Sequence, residues 1–575
     1  MTDTTTSAVP TPPTAAVAPE FEHLDPRRWI ALLTVLTATF MVLLDISIVN
    51  VGIPAIRNNL KANDADIQFV VAGYALAYAL VLITGGRLGD IYGRKRMFMI
   101  GMGGFVAASA LCGLAQTAII LDLSRVLQGV FAALMFPQVL SVIQVTFPPS
   151  ERAKAFGILG AIIGVATITG PLAGGLIIRD DLTGGSWRWI FLVNLPIGLV
   201  SLFAAWRVLT ESRAPHATRL DLVGVAIASI GLFLLVYPLV QGQTSGWPAW
   251  TFVCIGLSPV VLALFVLYER QLPADRFPLV QLSLFRIRSF RVGTVISAVF
   301  LMGIPAFFFT FSLTVQAGLG FSALNAGLTT VPFSIGSAVA SAFSARLAPK
   351  LGKWTISIGS GLLVLGMLGI ILTLQVRGAS VTGFDLIPSF LVSGVGLGTV
   401  VAPLLNIILA GVPPRDAGSA SGVLTTFQQL GGALGVALVG VIFFGMISGR
   451  ADTTVAQVVP QLRTELIAAH VPPQSVDAAI TGFARCFHDR AAESDPTRIP
   501  PSCRAVQAQS VPPQVEAVFT SVARQALGID FVSSFERTLP FNASVWFLTG
   551  LLALLLPKPQ PRAQHAARTA AAAAH

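Results

Sequence analysis

Charge is what this sequence has least of. Only 11% of its 575 residues are Asp, Glu, Lys or Arg, while 54% are hydrophobic and the mean hydropathy is +0.76. A soluble chain of this length needs far more charge to cover its surface, so lipid is the solvent for most of it. The six histidines all fall in loops or tails, which points away from a metal site or histidine proton relay inside a membrane. No GxxxxGKS or GxxxxGKT phosphate loop occurs; Gly352-Lys353-Trp354 lacks the upstream glycine and the hydroxyl residue, so ATP hydrolysis is not expected. No catalytic constellation stands out and no cofactor is implied, which leaves a receptor or enzyme as a remote reading. The net charge of +10 does not indicate nucleic acid, because the basic residues sit in short loops between apolar runs, where they set topology against anionic lipid.

Cysteine is scarce as well. Of four, Cys112 and Cys254 lie within apolar runs and read as inert packing. Cys486 and Cys503 lie in a polar segment placed outside the membrane. They are either unrelated thiols or, in an oxidising compartment, a disulfide, and the disulfide is expected.

What the chain has in abundance is apolar runs near 20 residues long. Fourteen recur between positions 29–51 and 540–556, each suited to a helix crossing a hydrocarbon core of roughly 30 Å. With the N-terminus placed inside, inner segments hold most of the Lys and Arg. Short outer loops hold only Arg57, Lys61, Arg179, Arg188 and Arg377. That bias predicts a multi-pass membrane protein with both termini cytoplasmic, and the Ala/Gly/Pro/Arg-rich composition points to a bacterium and hence its plasma membrane. Residues 1–28 and 557–575 read as disordered tails, the first span as a retained helix. Segment 448–539 breaks the pattern: it is polar, carries both signs of charge, and is expected to form a small helical outer domain before the last span.

An internal repeat fixes the organisation. Gly86-Arg-Leu-Gly-Asp-Ile-Tyr-Gly-Arg94 aligns with Ala345-Arg-Leu-Ala-Pro-Lys-Leu-Gly-Lys353, and Pro148-Pro-Ser-Glu151 with Pro413-Pro-Arg-Asp416. The offsets are nearly equal and an even number of spans separates each pair, so the halves run parallel. The expected fold is all-α: a six-helix bundle over 29–208, an inserted helix pair over 220–268, and a second six-helix bundle over 292–556.

Several residues carry chemistry. Asp45 sits in mid-span, where an unpaired charge costs several kcal/mol and an acid can exchange a proton near neutral pH. The alternative is a structural acceptor held by Ser47 or Asn50. Arg125 is the one basic residue placed well inside a span; it pairs either with Asp122, three residues earlier on nearly the same face, or with Asp45. Gly86, Asp90, Gly93, Arg94 and Lys95 form a loop whose glycines allow a tight turn and whose acid can hold cations or cap a helix. Gly170, Pro171, Gly174 and Gly175 give a kink and a close-packing surface. Asn50, Gln128, Gln428 and Gln429 are candidates for lining a cavity.

These motifs resemble the major facilitator superfamily, in its 14-span drug:proton antiporter branch (the EmrB/QacA type). The loop from Gly86 to Lys95 resembles the signature between its second and third spans, which steadies one conformation of alternating access. Leu44-Asp45-Ile-Ser-Ile-Val-Asn50-Val-Gly-Ile-Pro54 resembles the branch's first-span motif. Arg125-Val-Leu-Gln128-Gly129 is similar to its basic membrane motif, and Gly170-Pro171-Leu-Ala-Gly174-Gly175 to its antiporter motif, although Ala166 departs from the usual upstream glycine. Trp187-Arg-Trp-Ile-Phe-Leu-Val-Asn194-Leu-Pro196 is typical of the branch entering span six. The resemblance implies a monomeric, proton-coupled antiporter exporting small amphipathic compounds, with Asp45 carrying the proton and Arg125 tuning it. Spans 10 and 13 lack Asp and Glu, which favours monocationic or neutral cargo. Export of one dedicated metabolite, antibiotic or lipid is the alternative.

Overall fold

The computed structural model describes residues 25–557, apart from 63, 180–185, 215–219, 243–244, 273–277, 494–498 and 508–511. Of the two tails, residues 1–24 and 558–575 therefore lie outside the described residues, while 25–27 form a turn leading into the first helix. Helices dominate: α1 (Arg28–Leu60), α2 (Asp64–Tyr92), α3 (Arg94–Leu114), α4 (Ala118–Thr146), α5 (Pro149–Arg179), α6 (Trp189–Leu192) and α7 (Asn194–Val208) build the first half. The hairpin α8 (Leu222–Gln241) and α9 (Ala249–Gln271) follows. The second half comprises α10 (Arg288–Leu313), α11 (Ala323–Leu351), α12 (Trp354–Arg377), α13 (Ile387–Leu409), α14 (Ala417–Ala468), α15 (Pro473–Ala492), α16 (Pro501–Gln507) and α17 (Pro513–Leu552).

Among the described residues, 13 helices are long and apolar enough to span a bilayer. The 31-residue α5 occupies the fifth place in the same succession. Their outward faces are greasy where a soluble protein would be charged: Val200 is 71% exposed, Phe203 61% and Val253 66%, as expected of helices solvated by lipid.

The sequence repeat is visible in the backbone. Gly93 ends the turn between α2 and α3 at φ 109°, and its repeat partner Gly352 ends α11 at φ 56°. Both conformations favour glycine, because a Cβ crowds the backbone there. The sixth span is interrupted at Val193, between α6 and α7.

The polar segment does not break away at 448 and 539. α14 runs for 52 residues and α17 for 40, so both pass straight through those positions and carry helix beyond the apolar spans. There they pack with α15 around a separate core of Val458, Leu462, Leu466, Phe483, Phe487 and Val522. Cys486 of α15 and Cys503 of α16 form a disulfide, Cα atoms 4.6 Å apart.

Candidate functional site

Two buried polar clusters stand out. The first lies within the N-terminal half. α1 carries Asp45 and α4 carries Arg125 and Gln128, one helical turn apart on one face. Asp45 is wholly buried, at 0% exposure, and Arg125 at 2%. Arg125 Nη1 donates to Asp45 Oδ2 at 2.5 Å and to Gln128 Oε1 at 2.7 Å, while its Nε donates to the Val70 carbonyl of α2 at 2.9 Å. The other carboxylate oxygen, Asp45 Oδ1, accepts from Gln128 Nε2 at 2.8 Å and Asn194 Nδ2 at 3.2 Å. Ser109 Oγ of α3 accepts from the same two amides, at 2.8 and 3.0 Å. The guanidinium lies over the Tyr74 ring, 4.3 Å from its centroid. A carboxylate so placed has its charge met by a cation and two amides, the arrangement that makes a buried ion tolerable.

Asp122 is not part of this cluster. Although three residues from Arg125, it is half-buried beside Asp66, and one of its oxygens has no partner. The guanidinium turns inward to α1 and α2, where it meets a full carboxylate in place of an exposed flank. Ser47 does not hold Asp45 either: its hydroxyl bonds the Leu43 and Leu44 carbonyls of its own helix. The side chains of Asn50 and Pro171 lie outside the described residues. Gly170 packs against α1 near Asp45, since a Cβ there would lie 1.8 Å from Ser47 Oγ. Gly174 is buried, and Gly175 faces Leu324 of α11.

The second cluster joins the halves. Asp90 Oδ1 accepts from Arg94 Nη2 at 2.9 Å, and the two Asp90 oxygens accept the backbone N–H groups of Gly418 (3.0 Å) and Ser419 (2.9 Å) at the start of α14. Arg94 also donates to the Pro414 carbonyl at 2.9 Å. Asp90 thus serves the orphan donors and positive end of a helix in the other half. Gly86 and Gly418 let the backbones cross: a Cβ on Gly86 would lie 2.3 Å from the Gly418 carbonyl oxygen. Gln144 of α4 adds bonds to the Leu409 and Val412 carbonyls. Glu211 accepts from the N–H groups of Lys95 and Arg96 at the start of α3, and Lys95 Nζ reaches the Trp206 carbonyl. In the other half, Gln428 donates to Ser297 Oγ at 2.8 Å, and Gln429 is half-buried next to it. Gly431 and Gly435 are packing positions against α10.

Residues 35–436 match the profile of the Major Facilitator Superfamily. The chain belongs to that superfamily. This facilitator is therefore a transport protein rather than an enzyme. It is 40% identical over 538 residues, 93% of each chain, to a probable actinorhodin transporter of Streptomyces coelicolor. It is 34% identical to the puromycin resistance protein pur8 of Streptomyces alboniger (76% of this chain, 85% of that one) and 33% identical to a tetracenomycin C resistance and export protein of Streptomyces glaucescens (72% and 76%). Among solved structures, the human organic anion transporter MFSD10 superposes with a TM-score of 0.52 at 16% identity, covering 73% of the facilitator and 94% of that chain. The proton:xylose symporter XylE gives 0.52 at 14%, covering 71% and 87%. Both likenesses concern the fold.

Sequence reasoning found Asp45, Arg125 and Gln128, but assigned no site role to Asn194, Ser109 or Tyr74. Asn194 had a signal, since it stands in the motif entering span six. Ser109 and Tyr74 had none, because their importance comes only from which helices meet.

Proposed function

We propose that this facilitator is a proton-driven antiporter that exports small amphipathic compounds, monocationic or neutral, such as antibiotics. The observation that carries the reading is the sealed Asp45–Arg125 pair. A proton added to Asp45 removes one charge from the pair and frees Arg125, which then retains Val70, Gln128 and the Tyr74 and Phe191 rings. Loss of that proton restores the pair. Protonation therefore switches the packing of α1 against α4 between two arrangements, which is what coupling requires. The Asp90 cluster is the matching mechanical element: it clamps the halves at the end holding the α2–α3 loop, assigned here to the cytoplasmic side, and must open once per alternating-access cycle. The protein acts as a monomer in the bacterial plasma membrane, and needs neither ATP nor a cofactor.

Everted membrane vesicles test this. Uptake of a fluorescent cationic dye should follow an imposed pH difference in the parent and be lost in Asp45→Asn, with the protein still folded. Full-rate, pH-driven uptake by Asp45→Asn overturns the mechanism.

A second reading, export of one dedicated compound, draws support from the alignment with the probable actinorhodin transporter. It is too long to omit segment 448–539, which the superfamily profile leaves out. Comparing metabolites secreted with and without the gene decides between them: one compound lost from the medium favours dedicated export, and unchanged secretion with altered drug sensitivity favours broad efflux.

A further inference from the structure

The inward face of α17 carries a polar row that the scheme above does not use. Asp530, Ser534, Thr538 and Asn542 follow at four-residue intervals, which sets them in one line along the helix. All four are sealed from solvent, Asp530 at 1% exposure and the others at 0%. The row begins where two apolar cores part: Ala526 and Ile529 pack into the projecting core, Val532 and Phe535 into that of the bundle.

At this junction Asp530 Oδ1 accepts from Thr454 Oγ1 of α14 at 3.4 Å, and Arg450, also on α14, is its charged neighbour. Arg450 itself donates to Ser533 Oγ at 3.3 Å. From α10 come rings, Phe307 and Phe311 against Phe535. From α12 comes Gln375, whose bond to Glu536 lies on the exposed flank. Thr538 bonds the Ser534 carbonyl. Among the described residues, Asp530 Oδ2, Ser534 Oγ and both amide atoms of Asn542 have no protein partner. Dry, such a row would be prohibitively costly in a lipid-embedded bundle. Water satisfies buried polar groups of this kind where several lie within reach of one another.

We propose that this face of α17 is a second, water-bearing proton site, with Asp530 holding the proton and Asn542 anchoring the inner end of the water row. The proton adds to Asp530 Oδ2 from water entering at the α14–α17 junction and leaves by breaking the same O–H bond, so no other reactant is needed. Its use in transport rests on the proton-driven reading of the protein; the site itself does not.

Counting protons taken up by the purified full-length protein during a pH titration tests it. Asp530→Asn, close in shape to the parent residue, should bind about one proton fewer per chain. Asn542→Leu, which removes the anchor, should move the midpoint of that proton to higher pH, because a desolvated carboxyl favours its neutral form. Equal proton counts in parent and Asp530→Asn overturn the site. So does an unmoved midpoint in Asn542→Leu. Should the parent fail to transport on a pH difference in vesicles, the antiporter reading falls while the titration still decides this one.

Discussion

The loop between α2 and α3 and its repeat partner between α11 and α12 share a place in the repeat but not a task. Both turn at a glycine with positive φ, Gly93 and Gly352. The first places Asp90 on the start of α14, across the boundary between halves. The second has Pro349 at the matching position, and Lys353 reaches only Leu554 within its own half. The two seams differ accordingly. At α2–α14 backbone meets backbone, Gly86 against Gly418, and a buried ion pair caps a helix. At α5–α11 the contact is between glycines and serines, Gly160 beside Ser341, whose hydroxyl bonds the Gly157 carbonyl at 2.9 Å. One seam is specific and lockable; the other is smooth. Among the described residues the electrostatic latch lies at one seam, and in the proposed alternating-access cycle the second is the surface on which the halves would tilt.

Blocking the lockable seam should have the largest effect. Gly86→Val sets a branched side chain against a carbonyl that cannot rotate away, and overpacking of this sort costs about 3 kcal/mol. The ratio of clamped to open protein should fall about a hundredfold. Thiol labelling of a cysteine introduced at Ser421, which is buried in the seam, should become fast; slow labelling would show that the seam does not hold the clamp. Asp90→Asn comes next. It keeps the shape but loses the charge that meets Arg94 and two N–H groups, a cost of about 2 kcal/mol. The same labelling should accelerate less than in Gly86→Val. Gly160→Ala should do least to the clamp, about 1 kcal/mol or less, because the clashing Ser341 hydroxyl is the movable end of a side chain. Labelling accelerated as much as in Gly86→Val would remove the distinction between the seams.

Much of this was legible in the residues. Apolar length gave the spans, because lipid forces every backbone polar group into a helix. The repeat gave the pairing of halves, and two glycines at equivalent places gave the turns. Asp45 and Arg125 were legible because an intramembrane charge needs a reason. Their mutual pairing was one of two readings, since sequence spacing favours Asp122 and only the packing of α1 against α4 brings Asp45 closer. Asp90 read as a possible helix cap, but not whose cap, because α14 begins more than 300 residues later. The continuity of α14 and α17 beyond the membrane was hidden for another reason: polarity marks where lipid ends, and a helix need not end there.

The starts of α5 and α14 extend the contrast to pH. Glu151 and Asp416 are repeat partners, yet Asp416 is buried beside Arg415 whereas Glu151 is half-buried, outside the apolar span of α5. Arg28 grips Glu151 with two bonds, Nε to Oε2 at 2.9 Å and Nη2 to Oε1 at 3.0 Å. Those bonds hold the Glu151 carboxyl below the usual carboxylate range. A depressed folded pKa stabilises above the unfolded value and ceases to do so as pH falls through the folded one. Glu151→Gln should therefore lower the melting temperature slightly at neutral pH, and the deficit should close on acidification below the ordinary glutamate range. Because the pair is only half-buried, salt should also shrink the deficit. A deficit that persists in acid would mean that Glu151 acts through packing at the mouth of the smooth seam, and the two helix starts would then differ in less than their charge chemistry.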